Sequence, residues 1–190
     1  MRNCYALARL GHNVLPYDYL TPHFRAFELG AERAPTSVLP NLKRTADYLE
    51  VIRAELATPL VVNHGSVINR GWRSPTSNIQ VGGSATSSHL VGLAADFNAQ
   101  GMSSWKAYNR LKAAKKSGRL PAFDQIIYYP FGHLHLGLGP QLRNEFRIRI
   151  RENVYALDIT PPEGSTTTPN VVVLAALAFV ALVVTFAIMA

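Results

Sequence analysis

Apolar residues recur at helical spacing in two stretches of the chain. Between about 38 and 57, Leu39, Leu42, Ala46, Leu49, Ile52 and Leu56 fall on one stripe, while Lys43, Arg44 and Glu50 point elsewhere. That pattern predicts an amphipathic helix packed on a sheet, opened by Pro35 and Thr36. SSWKAYNRLKAAKKSG, residues 103 to 118, predicts a second helix. Ser103 or Ser104 would cap it, and Lys115 and Lys116 suit the negative end of its dipole. Its basic face reads as solvated surface. A shorter helix is expected from Thr21 as N-cap, through Pro22 at the first helical position, to about Gly30.

The strand signals are shorter. PLVVNH (59 to 64) is an apolar, β-rich run, and further strands are expected at about 123 to 129 and 133 to 138. FRIRIREN (146 to 153) alternates apolar residues with arginine, the period-two sign of an edge strand with one wet face. Pro75, Gly82 and Gly83 mark a loop. No internal repeat is visible. These elements predict an α+β fold, with helices laid on a small antiparallel sheet.

The last stretch differs in kind. Residues 171 to 190, VVVLAALAFVALVVTFAIMA, carry no charge and a single polar side chain, Thr185. Twenty helical residues at ~1.5 Å each span ~30 Å, the thickness of a bilayer's hydrocarbon core. This predicts a C-terminal transmembrane helix. The preceding TPPEGSTTTPN (160 to 170) reads as a linker, residues 20 to 159 as the folded domain, and residues 1 to 19 as an N-terminal extension. The N-terminus shows no long apolar core and no cleavage site, so no signal peptide is expected.

Composition adds bounds. A chain of 190 residues suffices for one domain with a sizeable core plus an appendage. The lone Cys4 excludes an intramolecular disulfide and a cysteine-based metal cluster. Nineteen Lys and Arg against twelve Asp and Glu give a net charge of +7, which suits an anionic substrate, envelope or membrane surface. No basic run is interleaved with aromatics and no nucleic-acid motif appears, so no specific nucleic acid partner is expected, even with Arg143, Arg147, Arg149 and Arg151 so close together.

The chemistry concentrates in two segments. SSHLVGLAAD (87 to 96) places His89 seven positions before Asp96, and GHLHLG carries His133 and His135. Two histidines and a carboxylate are the ligand set of a catalytic zinc site with an open fourth position. A strand bearing His-x-His puts both imidazoles on one face, so one can bind metal while the other faces the same reacting atom.

At these residues the chain resembles the M15 family of zinc D-Ala-D-Ala carboxypeptidases and related phage peptidoglycan peptidases. The family pattern, Ser-x-His-x-x-Gly-x-Ala-x-Asp and then a distal His, is met by Ser87, His89, Gly92, Ala94, Asp96 and His135. The likeness extends through LTPHFRAFEL (20 to 29), GWRSPTSNIQVGGS (71 to 84) and FDQIIYYPFGHLHLG (123 to 137). It implies that His89, Asp96 and His135 hold a zinc ion, although other divalent ions fit nearly as well. His133 would orient water, stabilise the oxyanion and move the proton to the leaving amine. Arg73, in the matched Gly-aromatic-Arg turn, would hold a substrate carbonyl or carboxylate; its other reading is a structural ion pair. Ser87 reads equally as a substrate contact or a turn cap. Asp124 and Gln125 match the family's Asp-Gln pair and read as supports for the site. His12, His23 and His64 lack ligand spacing and read as structural.

Two departures stand out. GSVINR (65 to 70) reads as an insertion before the Gly-Trp-Arg turn. Tyr129 occupies the position where many relatives have a glutamate, which leaves the general base open. The sequence thus reads as a membrane-anchored zinc metallopeptidase acting on peptidoglycan stem peptides or crosslinks, as a viral lytic or entry enzyme. Its oligomeric state stays open. The alternative is a non-catalytic, zinc-containing wall-binding or structural virion membrane protein on the same fold.

Overall fold

The computed structural model describes residues 18–62, 71–130, 132–151 and 154–159. In chain order it contains α1 (Ala26–Leu29), a 3-10 turn at Thr36–Val38, α2 (Leu39–Leu56), β1 (Leu60–Val61) and α3 (Pro75–Gln80). A second 3-10 turn at Ser88–Val91 follows, then β2 (Ala94–Ala99), α4 (Ser104–Lys116), β3 (Gln125–Tyr128), β4 (Leu134–Gly137), β5 (Glu145–Arg151) and β6 (Val154–Leu157). The expected insertion at 65–70, the linker and the apolar run 171–190 lie outside the described residues. Among the described residues, no helix is long and apolar enough to cross a membrane.

The strands form one six-stranded sheet in the order β1-β2-β4-β3-β5-β6. It is mixed, not antiparallel as the sequence suggested, because β5 runs parallel to β3. The reason is occupancy: β4 already has β2 on one side and β3 on the other, so the chain leaving β4 must cross to the far side of β3. FRIRIREN is correspondingly not the edge. β5 is hydrogen-bonded on both sides, and the short β6 takes the edge position.

Alternation along the strands separates two faces. Phe97, Leu134, Leu136, Ile126 and Phe146 enter the core, where they meet the buried stripe of α2 (Leu42, Ala46, Leu49, Ile52, Leu56) and Ala107, Tyr108 and Leu111 of α4. Each leucine, isoleucine or phenylalanine among them, fully buried, contributes roughly 1.5–3 kcal/mol relative to exposure. The residues between them, including Asp96 and His135, stand on the opposite face. The site therefore lies on the side of the sheet away from the long helices.

Local departures have local causes. Helix α1 begins at Ala26, not Thr21: Leu20 N–H and Thr21 N–H both donate to Phe24 O (2.9 and 3.3 Å), closing a turn over TPHF. Thr21 instead donates its hydroxyl to Glu50 Oε1 at 2.7 Å. Pro75 opens a helix, not a loop, since Ser74 caps α3 by accepting from Ser77 N–H. Ser103 caps α4 as expected. The basic face of α4 is not wholly solvated, because Lys112 is buried and its Nζ lies 2.7 Å from Asp158 Oδ2, just past β6.

Candidate active site

His89 is set by backbone before any ligand chemistry enters. Ser87 caps its 3-10 turn, its Oγ accepting from His89 N–H at 3.4 Å. Gly92 closes the turn at φ 74°, the left-handed region that favours glycine. Helix α2 clamps the turn from below: Thr45 donates its hydroxyl to Gly92 O (2.8 Å), and Asn41 Nδ2 donates to Val91 O (2.9 Å). The imidazole Nδ1–H donates to Gly71 O at 2.6 Å, which leaves Nε2 with a lone pair. Gly71 is fixed in turn against α1. A Cβ there would lie 2.5 Å from Leu29 O, and Trp72 N–H donates to that same oxygen at 2.8 Å.

Asp96 on β2 and His135 on β4 are direct cross-strand partners, which brings their side chains together on the face away from the long helices. His135 Nδ1 lies 2.8 Å from Asp96 Oδ1, and His89 Nε2 lies 3.2 Å from that nitrogen and 3.3 Å from that oxygen. The ligand atoms of all three residues fall within 4.8 Å of one another, and all three residues are buried. Two basic nitrogens and a carboxylate oxygen packed this closely need a shared proton or a cation. The donor set, N, N and O⁻, suits zinc, and the Gly71 carbonyl supplies the outer hydrogen bond that orients such a ligand. These residues fit the ion that their pattern implies.

The electrostatics agree. Burial pushes the His89 imidazole below its ordinary value, against the pull of Asp96, so the ring stays neutral. Burial alone would raise Asp96; the neighbouring His89 and His135 outweigh it and hold the carboxyl well below the usual range. Arg73 Nη2 donates to Asp96 Oδ2, leaving Oδ1 to the histidines.

The remaining expected residues gather around this cluster. His133 stands on the same side as His135, as His-x-His requires, with Nε2 3.7 Å from Asp96 Oδ1. Arg73, Ser87, Asp124 and Gln125 all line one cleft of about 1030 Å³ that also contains the three clustered residues. Asp124 is buried and takes a two-pronged contact from Arg143, Nε at 2.5 Å and Nη2 at 3.0 Å. His23 is away from the cluster, paired with Glu50 Oε2 at 2.8 Å, and His12 and His64 lie outside the described residues.

The sequence pattern assigns Tyr129 no role in the cleft and does not place Tyr155, Arg147 or Arg149 there. The Tyr129 ring stacks on His133, centroids 4.5 Å apart at 20°, and its hydroxyl lies 3.2 Å from that of Tyr155. Burial first, then the contact with Tyr155, raises the Tyr129 phenol far above its ordinary value, so it stays protonated. Arg149 lies over the same ring, 5.2 Å from its centroid, and Arg147 also lines the cleft. The alternation in FRIRIREN held the signal for both arginines, but only the sheet order shows that the arginine face looks into the site.

The model of the family described as Peptidase M15 matches residues 13–135, which takes in all three clustered residues. Among curated proteins, none matches the chain.

Proposed function

The chain belongs to the Peptidase M15 family and is a peptidase, and from that premise we propose that it hydrolyses peptide bonds in peptidoglycan stem peptides or crosslinks. One observation carries the reading: His89 Nε2, Asp96 Oδ1 and His135 Nδ1 converge within 4.8 Å inside an open cleft large enough for a peptide. His89, Asp96 and His135 would hold the zinc. When bound there, zinc polarises an amide carbonyl and lowers the pKa of water from ~15.7 to about 7.

The chain's own side chains do the rest. Arg73 fixes the Asp96 carboxylate through Oδ2 and brings a positive charge to the edge of the cleft, where a developing oxyanion gains from it. His133, partly exposed in the cleft, takes a proton from the attacking water and delivers it to the leaving amine. Tyr129 holds the His133 ring in plane and, still protonated, offers a hydrogen bond and no base. The proposal extends to a setting: residues 171–190 anchor the peptidase in a virion membrane or host envelope, from which it reaches the wall during entry or lysis. The uninterrupted apolar run supports this part.

The test uses the full chain with isolated cell-wall sacculi, zinc-loaded against chelator-stripped, with released fragments weighed by mass spectrometry. Zinc-dependent release supports the peptidase, and the fragment masses distinguish trimming of a terminal D-Ala from cutting a crosslink. No release from a folded, zinc-containing chain would overturn it in favour of a wall-binding or structural protein, a reading that the missing carboxylate at Tyr129 favours.

A further inference from the structure

The strand registers place the residues of the cleft in two transverse rows. Asp96 pairs with His135, His135 with Ile127 and Ile127 with Arg147, so these four cross the sheet on one face. One step along, His133 lies beside Tyr129, Arg149 lies over the Tyr129 ring, and Arg149 pairs with Tyr155 on β6. Each row therefore starts at the reacting centre and ends at an arginine of β5.

The net charge on this wall is positive. Among the described residues that line the cleft are four arginines and two aspartates. Asp96 is engaged by Arg73 and Asp124 by Arg143, and arginines outnumber aspartates on this wall by two. Glu145 touches Arg147 through Nε (2.9 Å) and Nη2 (2.7 Å), but it does not line the cleft. A guanidinium carries five N–H donors, so this contact leaves capacity for a second carboxylate.

We propose that Arg147 and Arg149 form an anion subsite that selects peptides bearing a carboxylate about three residues from the bond cleaved. The spacing follows from the sheet. Arg147 is two strands from His135, or ~10 Å at ~4.8 Å per strand, and an extended peptide advances ~3.4 Å per residue. The planar forks suit a carboxylate, and the Tyr129 ring under Arg149 holds one of them in position. This deepens the peptidase reading and rests on it for the word substrate.

The test compares two synthetic stem peptides that differ at one group, a free glutamate carboxylate or its amide, each with the full zinc-loaded chain. The wild type is expected to favour the acidic peptide by at least tenfold in kcat/KM, a ratio that falls toward one in the Arg147→Gln/Arg149→Gln double variant. Because the ratio is internal to each protein, partial loss of fold does not imitate the result. A wild type that treats both peptides alike, or a double variant that keeps the wild-type ratio, overturns the subsite. Should neither peptide be cleaved, the release from sacculi alone decides the peptidase reading, and the same intact peptides serve as ligands in titration calorimetry. There, preference for the acidic peptide that depends on the two arginines sustains the subsite, and equal binding overturns it.

Discussion

Tyr129 shows how one side chain can matter without reacting. Its ring lies against His133, the residue to which the proposed mechanism gives the proton transfers. Replacing it with leucine removes the flat support and lets the imidazole rotate. We expect Tyr129→Leu to lower kcat by roughly tenfold, a fraction of the 10²–10⁴ that a general acid–base residue supplies. Zinc content should be unchanged, and Tyr129→Phe should recover most of the rate; steady-state kinetics with metal analysis decides this. Asp96→Asn is a harsher change. It removes the anionic ligand and takes a carboxylate away from Arg73 in a buried setting, where breaking such a pair costs on the order of 3–5 kcal/mol. The variant should bind little zinc and unfold at markedly lower temperature, as zinc titration and thermal melts would show.

At the scale of elements, the metal-binding turn depends on the helix beneath it. Gly92 has φ 74°, and a Cβ there would stand 2.6 Å from Val38 Cγ1 and 3.0 Å from Leu42 Cγ. Gly92→Ala should cost roughly 2–4 kcal/mol, from left-handed strain and overpacking together, and should displace His89 so that zinc binding weakens. Ser103→Ala removes a helix cap that does not line the cleft; about 1 kcal/mol of stability should go while zinc affinity stays. The long helices were legible in the sequence because their stripes are local, and so was His-x-His, whose geometry is a property of any strand. The sheet order was not legible. Whether Arg147 and Arg149 face water or the cleft depends on β5 lying beside β3, and the burial of Lys112 depends on Asp158, forty-six positions away. Such pairings leave no periodicity in the segments that make them.

For the molecule as a whole, three groups make the metal-free chain sensitive to acid, against the opposing carboxylate of Glu28, which burial raises. Burial and its surroundings keep His89 below its ordinary 6.5. Glu50, against the cost of its own burial, is held below 4.5 by donors from Thr21 and His23, and Asp96 lies well below 3.8. In each case the unfolded chain takes up the proton first, so stability rises with pH. The contribution of His89 is present above 6.5 and is lost as pH falls below that value; those of the two carboxylates are present above about 4.5 and go on further acidification. Melting temperature should therefore fall gently below pH 6.5 and steeply below 4.5. In Glu50→Gln the steep part should be shallower. A melting curve flat from pH 7 to 3 would contradict all three assignments.

Asp96 and His135 touch across adjacent strands yet stand 39 positions apart, with α4 and β3 between them. During synthesis, therefore, the cradle does not exist until β4 has emerged and docked beside β2. Two histidines and a carboxylate capture several divalent ions with affinities that follow their place in the transition series more than their biological fitness. The first ion seated is then the one most available in the compartment where the last strands close. Where this chain folds, more than where it works, determines the metal that it carries.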